Sequence, residues 1–171
     1  MRFILVDRIR ELEPGRSVRA EKTLSPQEEL FLDHFPGFPV VPGVLLTEMM
    51  AQAAGKCLDA ERRPRGKPML AQIRSASFRE WVRPGETAEI VATIESSQDS
   101  VATARCHVEV AGRKVCSAEL LFAFMPRDLF AADWRDAVLE AFLAARGEAA
   151  GGAAGEPPPA PSSSGEGAVR S

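Results

Sequence analysis

Residues 34–58 read HFPGFPVVPGVLLTEMMAQAAGKCL. From Pro42 onward this stretch is apolar at nearly every position, and its charged side chains are Glu48 and Lys56. A helix that is hydrophobic all round is a buried helix. We therefore expect a long buried helix from Pro42 to Leu58, with the rest of the domain packed around it.

The first part of the stretch contains proline at every third position, at residues 36, 39 and 42. Each proline fixes its own φ and pushes the preceding residue toward extended geometry. The pattern predicts a stiff, extended, non-helical segment from His34 to Pro42. Gly43 then falls in the first turn of the helix, where backbone N–H groups lack partners and the helix dipole is positive.

Alternating apolar residues follow the helix, from about Met69 to Phe124. They lie within residues 86–95, 102–110 and 115–124, and Ala-Gly-Arg at 111–113 is a turn signal. An alternation with period two predicts antiparallel strands with one apolar face. The buried helix can cover that face. We therefore predict an α+β fold in which an antiparallel sheet wraps around one long central helix.

Glu48 is an unusual residue for such a helix, because none of the four side chains within helical reach is cationic. A buried carboxyl without a nearby cation favours its protonated form and can act as a general acid. Gln52, one turn further on, could orient that carboxyl through a hydrogen bond. The alternative is a cation from another strand, for which Arg74, Arg79 and Arg105 are candidates.

His34, one of two histidines, lies on the proline-containing segment. Its imidazole can exchange a proton near neutral pH. Dehydration of a 3-hydroxyacyl thioester needs a base for the C2 proton, an acid for the departing C3 hydroxyl, and a donor to the thioester carbonyl. His34, Glu48 and the N–H of Gly43 suit these roles in turn. A single loop histidine is more often solvated or structural, so the spacing alone leaves the question open.

The order of residues in this stretch resembles the signature of the (3R)-hydroxyacyl-acyl carrier protein dehydratases, the FabZ-like branch of the hotdog superfamily. The shared features are HFPG at residues 34–37, PGVL at residues 42–45, Glu48, and Ala-Gln at residues 51–52. A second block at residues 78–85 resembles the family's strand and Pro-Gly turn after the helix. The resemblance covers about residues 1–124.

This resemblance implies a hotdog fold with a six-stranded sheet, and a homodimer or higher oligomer. It implies active sites at the dimer interface, with His34 as base from one subunit and Glu48 as acid from the other. The substrate would be a (3R)-hydroxyacyl chain on acyl carrier protein, the product a trans-2-enoyl thioester, and no cofactor or metal would be needed. Glutamate in place of the aspartate of the dehydratase–isomerase branch indicates dehydration without isomerisation.

Two further features concern binding. Phe35, Phe38 and Phe78 are candidates to line an acyl tunnel, with ordinary core packing as the alternative for each. The basic residues between Glu61 and Lys67 suit docking of an acidic carrier protein, or form a solvated loop.

The pathway could be fatty-acid or polyketide-type synthesis.

Composition narrows the class of protein. The net charge of −3 gives no positive field for a nucleic-acid partner. The apolar run within residues 1–7 is too short for the apolar core of a signal peptide. The sequence contains no run of about 20 apolar residues, the length needed to cross a membrane. We therefore expect a cytoplasmic protein. Three cysteines without close spacing indicate small buried side chains rather than a zinc site.

The chain divides into three parts by pattern. Residues 1–126 form the predicted hotdog domain, and residues 127–146 are predicted to form a C-terminal amphipathic helix, capped by Asp128 or Asp133. Residues 147–171 are mostly Gly, Ala, Pro and Ser, and we expect a disordered tail.

Two other functions share parts of this pattern. A hotdog thioesterase would use the helix carboxylate to activate water, although the intact HFPG run disfavours it. A non-catalytic hotdog subunit would bind acyl groups or a partner enzyme, although the retention of both His34 and Glu48 disfavours that.

Overall fold

The computed structural model describes residues 3–61 and 66–146. The tail predicted at residues 147–171, and most of the basic loop after the central helix, lie outside the described residues. In chain order, the elements are β1 (Arg8–Glu13), β2 (Ser17–Thr23), α1 (Leu30–Asp33), α2 (Gly43–Ala60), β3 (Lys67–Phe78), β4 (Thr87–Ser97), β5 (Val101–Val110), β6 (Arg113–Met125), a 3-10 turn (Arg127–Leu129) and α3 (Ala137–Ala145).

The six strands form one sheet in the order β1-β2-β4-β5-β6-β3, and every neighbouring pair is antiparallel. Strands β5 and β6 are joined by the predicted turn, where Ala111 has φ 50° and Gly112 has φ 74°. Two consecutive residues with positive φ are characteristic of a type I′ hairpin turn, which suits the twist of paired strands. The sheet predicted from the alternating pattern is therefore confirmed, together with its antiparallel order.

Helix α2 packs against strands β2 to β6, so the sheet curves around it. Met49, Met50 and Ala53 of the helix are at most 1% exposed, and Ile90 on β4 and Phe122 on β6 are likewise buried. Burial of a side chain of Met or Phe size stabilises the fold by about 1.5–3 kcal/mol. The predicted central helix is thus confirmed, and it extends two residues past Leu58 to Ala60.

The C-terminal helix is present but shorter than predicted. The sequence pattern placed a helix over residues 127–146, whereas α3 begins at Ala137. Its N-cap is Asp136, whose side chain accepts hydrogen bonds from the N–H groups of Val138 and Leu139 at 3.2 and 3.1 Å. The apolar residues at 129, 130 and 134 fit a helical period, but they lie in irregular backbone and the 3-10 turn. The helix starts where a carboxylate can satisfy its free N–H groups.

The three cysteines behave as small buried side chains, as predicted. Cys57, Cys106 and Cys116 are free thiols that are at most 1% exposed. Burial raises the pKa of Cys57 to about 11, of Cys106 to about 12 and of Cys116 to about 11. Within the described residues, no helix combines the length and the apolar character that a membrane span requires.

Candidate active site

The segment before α2 folds into a tight turn. Phe38 N–H donates to the carbonyl of Phe35 at 2.9 Å, and Gly37 has φ +78°. Proline at the second position and a glycine with φ near +80° at the third define a type II turn. The N–H of Val40 donates back to the carbonyl of His34 at 3.2 Å. The prediction of an extended segment was therefore wrong, because the pairing of Pro36 with Gly37 favours a reversal.

The turn fixes the His34 side chain. Its Nδ1 lies 3.1 Å from the carbonyl oxygen of Val40. A carbonyl can only accept a hydrogen bond, so the neutral ring carries its hydrogen on Nδ1 and leaves the lone pair of Nε2 available. The ring also stacks on Phe35 with centroids 4.1 Å apart. His34 is half-buried and held in an orientation in which Nε2 can accept a proton.

Glu48 is half-buried on α2 and is contacted by Gln52. The Gln52 Nε2 donates to Glu48 Oε1 at 3.1 Å and to the carbonyl of Phe3 at 3.3 Å. The other end of the amide is fixed as well, because Gln52 Oε1 accepts from the N–H of Leu5 at 2.9 Å. The partners of the amide thus determine which end faces the carboxyl. The group facing Glu48 is a neutral N–H donor rather than a cation.

The cation proposed as the alternative partner of Glu48 is not found. Among residues 3–61 and 66–146, no ion pair involves Glu48, and Arg105 pairs instead with Glu95 at 2.8 Å. Within the described residues the carboxyl therefore lacks a compensating positive charge.

Gly43 places the start of α2 close to the end of β3. A Cβ at this position would lie 3.0 Å from two carbon atoms of the Phe78 ring, so only glycine permits this approach without displacing the ring. In the described part of the chain no side chain caps the first turn of α2. The N–H groups of Leu45 and Leu46 donate to the Pro42 carbonyl, which leaves those of Gly43 and Val44 for a ligand oxygen.

Phe35 and Phe38 lie outside the core of the chain, at 52% and 42% exposed. The ring of Phe38 meets Trp81 edge-on at 6.4 Å, and the Arg83 guanidinium lies 5.3 Å from its centroid. Core packing, the alternative considered for both phenylalanines, is thus absent from the single chain. Trp81, 67% exposed, was not singled out from the sequence, where one tryptophan in a polar stretch carries no distinguishing signal.

Glu48 opens into a cleft of about 760 Å³, a volume typical of small-molecule sites. The cleft runs along α2 past Ala51, Gln52 and Gly55, and its other wall includes Met69 and Leu70 of β3. His34 is not among its lining residues in the described structure. One chain therefore brings together Glu48 and Gln52, but does not bring His34 into the same cleft.

The described residues contain no cluster of three or more His, Cys, Asp or Glu side chains able to hold a metal ion.

Solved proteins of low sequence identity share this fold. The dehydratase heterocomplex ApeI:P from Xenorhabdus doucetiae matches with a TM-score of 0.60 and 16% identity, over 74% of this chain and 86% of that chain. A hypothetical thioesterase from Streptococcus pneumoniae TIGR4, solved with coenzyme A, matches with a TM-score of 0.56 and 13% identity, over 69% and 84% of the two chains. These similarities show a hotdog fold, which both a dehydratase and a thioesterase can adopt.

Sequence similarity is more specific. The FabA-like domain model matches residues 1–119. The 3-hydroxyacyl-acyl-carrier-protein dehydratase FabZ of Lactobacillus helveticus is 40% identical over 121 residues, covering 70% of this chain and 82% of that protein. The FabZ of Chloroflexus aggregans is 41% identical over 122 residues, covering 71% and 85%.

The fold and these similarities together define a hotdog-fold dehydratase. The chain belongs to the FabA-like family, in its FabZ branch. It is a hydro-lyase that dehydrates 3-hydroxyacyl groups on acyl carrier protein in fatty acid biosynthesis.

Proposed function

We propose that His34 and Glu48 are the catalytic base and acid of this dehydration. Nε2 of His34 takes a proton from C2 of the (3R)-hydroxyacyl thioester, and the C–H electron pair forms the C2–C3 double bond. The C3–O bond breaks, and the leaving hydroxyl receives the proton of Glu48 and departs as water. The product is the trans-2-enoyl thioester, and proton exchange with solvent restores both side chains.

The hydrogen bonds of His34 support its role as the base. Because Nδ1 is engaged by the Val40 carbonyl at 3.1 Å, the free lone pair lies on Nε2. The same contact stabilises the imidazolium that forms when Nε2 takes the proton, since Nδ1–H becomes a stronger donor.

Two observations support Glu48 as the acid. It has no cationic partner in the described structure, and the Nε2 of Gln52, a neutral donor, holds its Oε1 at 3.1 Å. We assign Gln52 the role of orienting this carboxyl.

The N–H of Gly43 is the proposed donor to the thioester carbonyl. Charge builds up on that oxygen as the C2 proton leaves, and N–H groups at a helix N-terminus stabilise it. The close approach of Gly43 to Phe78 positions these groups at the end of β3.

A second copy of the chain is needed to complete the site. Strand β3 lies at one edge of the sheet and is exposed over Met69–Phe78, with Ile73 50% and Phe78 45% exposed. A long exposed edge strand with apolar side chains favours pairing with another strand. We propose a two-fold dimer through β3 that brings His34 of one subunit to the Glu48 cleft of the other, giving two equal sites.

The remaining assignments follow from this arrangement. We propose that the exposed rings of Phe35 and Phe38, beside His34, line the channel through which the acyl chain reaches the site.

We also place the protein in the cytoplasm, since its three described cysteines are free thiols, as is usual in a reducing compartment.

Subunit complementation tests the catalytic pair and the shared site together. The variants His34→Ala and Glu48→Gln should each lose at least about 100-fold in kcat, as expected for removal of a general acid or base. If the two inactive proteins are unfolded and refolded as a mixture, half of the dimers are mixed, and each mixed dimer has one intact site. About a quarter of wild-type activity should return.

The outcomes separate the alternatives. No recovery on mixing, with both variants inactive alone, would mean that each site lies within one chain. Full activity in either variant alone would remove that residue from the mechanism. Release of free thiol from the acyl thioester, followed with a thiol reagent, would instead indicate a thioesterase.

A further inference from the structure

The segment formed by residues 126–146 is held against the C-terminal half of α2 by charged contacts. Lys56, only 8% exposed, pairs with Asp136 at 2.5 Å, and Arg127 pairs with Asp59 at 2.9 Å. Lys67 at the start of β3 also pairs with Asp59, at 2.8 Å. Because buried charges need their partners, these contacts keep the segment in one position beside the helix.

The Glu48 cleft leads directly to this segment. Its lining on α2 comprises Glu48, Ala51, Gln52, Gly55, Lys56 and Asp59. These positions are three, four, seven, eight and eleven residues beyond Glu48, so they form one stripe on the helix. Lys56 lies about 12 Å along the axis from Glu48, at 1.5 Å per residue.

The cleft has apolar walls and a defined end. Phe3, Ile4, Met69, Leu70 and Phe122 provide apolar surface along its length, and Trp134 and Val138 belong to the C-terminal segment. The Trp134 ring lies 3.5 Å from the Lys67 ammonium, which is the distance of a cation–π contact. At this end Lys56 and Lys67 pair with Asp136 and Asp59, and Arg135 donates to the backbone carbonyls of Ala132 and Trp134, so each of these cations has a partner other than a bound hydrocarbon chain.

Trp134 also lines a second cavity, of about 560 Å³, next to the first. The two cavities have five lining residues in common, which are Asp59, Lys67, Trp134, Arg135 and Asp136. The second cavity adds Phe130 and Leu139. The Trp134 side chain, supported by Lys67, therefore stands at the boundary between a cleft that reaches Glu48 and a further space beyond it.

We propose that Trp134 closes the tail end of the acyl cleft and sets the longest acyl chain that the enzyme accepts. This inference rests on the proposed roles of Gly43 and Glu48. If the thioester carbonyl lies at the helix N-terminus and the C3 hydroxyl at Glu48, the rest of the chain points toward the C-terminal half of α2. The match to the family domain ends at residue 119, so this determinant lies outside the shared domain.

The test measures kcat/KM for a series of 3-hydroxyacyl-acyl carrier protein substrates of increasing chain length. Trp134→Ala should raise the ratio of kcat/KM for long chains to that for short chains by about tenfold or more, the size expected when a pocket gains or loses room for a methylene group. Trp134→Phe keeps an aromatic ring and should shift the same ratio by less. Leu129→Ala is the matched control, because Leu129 is 65% exposed in the same segment and lines neither cavity.

A ratio in Trp134→Ala equal to that of the wild type would overturn the proposal, whatever the absolute rates. If the alanine variant does not fold, as judged by thermal unfolding, the phenylalanine variant decides by the same criterion. Failure of the proposed catalytic roles gives a different result. In that case the His34 and Glu48 variants retain activity, whereas failure of the present proposal leaves the ratio of kcat/KM between long and short chains unchanged in the Trp134 variants.

Discussion

Gln52 connects the N-terminal segment of the chain to the carboxyl of Glu48. Its Oε1 accepts from the N–H of Leu5 at 2.9 Å, while its Nε2 donates to Glu48 Oε1 at 3.1 Å. The amide cannot rotate without placing like groups together at both ends. The position of the carboxyl in the cleft thus depends on backbone that precedes β1.

Replacement of Gln52 should separate its two functions. In Gln52→Leu all three hydrogen bonds of the amide are lost, and the unpaired N–H of Leu5 should lower the free energy of unfolding by about 1–3 kcal/mol. In Gln52→Glu an acceptor for Leu5 remains, but the donor to Glu48 is gone. We expect kcat to fall about tenfold in both variants with little change in KM, and stability to fall mainly in the leucine variant.

Steady-state kinetics and denaturant unfolding on the same preparations give the two readings. Wild-type kcat in Gln52→Glu would show that the contact with Glu48 has no orienting role.

Gly43→Ala should reduce activity through Phe78. The new methyl group would lie 3.0 Å from the Phe78 ring, which then has to move by a few tenths of an ångström. A shift of that size at the proposed carbonyl donor should lower kcat/KM by roughly tenfold. The double variant Gly43→Ala/Phe78→Leu should recover part of this loss.

Gly55→Ala is the comparison for stability. Its Cβ would meet nothing within 4 Å, so the free energy of unfolding should rise by up to about 1 kcal/mol from helix propensity alone. If Phe78→Leu gives no recovery in the Gly43→Ala background, the ring is not the cause of the loss.

The cysteines should be unreactive in the folded protein. Burial raises the pKa of each thiol to about 11 or 12, so at mildly alkaline pH the reactive thiolate is scarcer than in an exposed cysteine, and the reagent has no access. A chromogenic disulfide reagent should detect no fast thiol in the native protein and three after denaturation. A rapid reaction in the native state would contradict the burial of that cysteine.

The sequence predicted those parts of the fold that a single strong hydrophobic pattern specifies. Helix α2 is apolar all round, and β4, β5 and β6 alternate over ten or more residues, so burial alone determines both. Strands β1 and β2 were not identified from their residues. They are six and seven residues long, and charged residues are interspersed among the few buried ones, Ile9, Leu12, Val18 and Ala20.

For the site, the sequence predicted side chains but not their surroundings. Gln52 is held by backbone groups of Phe3 and Leu5. Every residue carries such groups, so a sequence pattern cannot indicate which of them bind a given side chain. The turn at Phe35–Phe38 was not predicted, because the repeated prolines favour extended backbone whereas Gly37, which follows Pro36, adopts a positive φ and reverses the chain. The contact of Trp134 with Lys67 joins segments 67 residues apart, and neither side chain indicates the other.

The two partners of the Lys56–Asp136 ion pair should differ in how much stability is lost when each is removed alone. Asp136 both neutralises the buried ammonium at 2.5 Å and caps α3. Asp136→Ala should therefore lower the free energy of unfolding by about 3–5 kcal/mol, the usual cost of an uncompensated buried charge. Lys56→Met removes the buried charge and keeps the cap, so its cost should be far smaller. In the Lys56→Met background, Asp136→Ser retains a capping hydroxyl and should have little further effect. Denaturant unfolding of the four proteins measures these differences. Equal losses of stability in Lys56→Met and Asp136→Ala would contradict this expectation. They would show that the attraction between the two charges holds the C-terminal segment in place, rather than the cost of burying one charge alone.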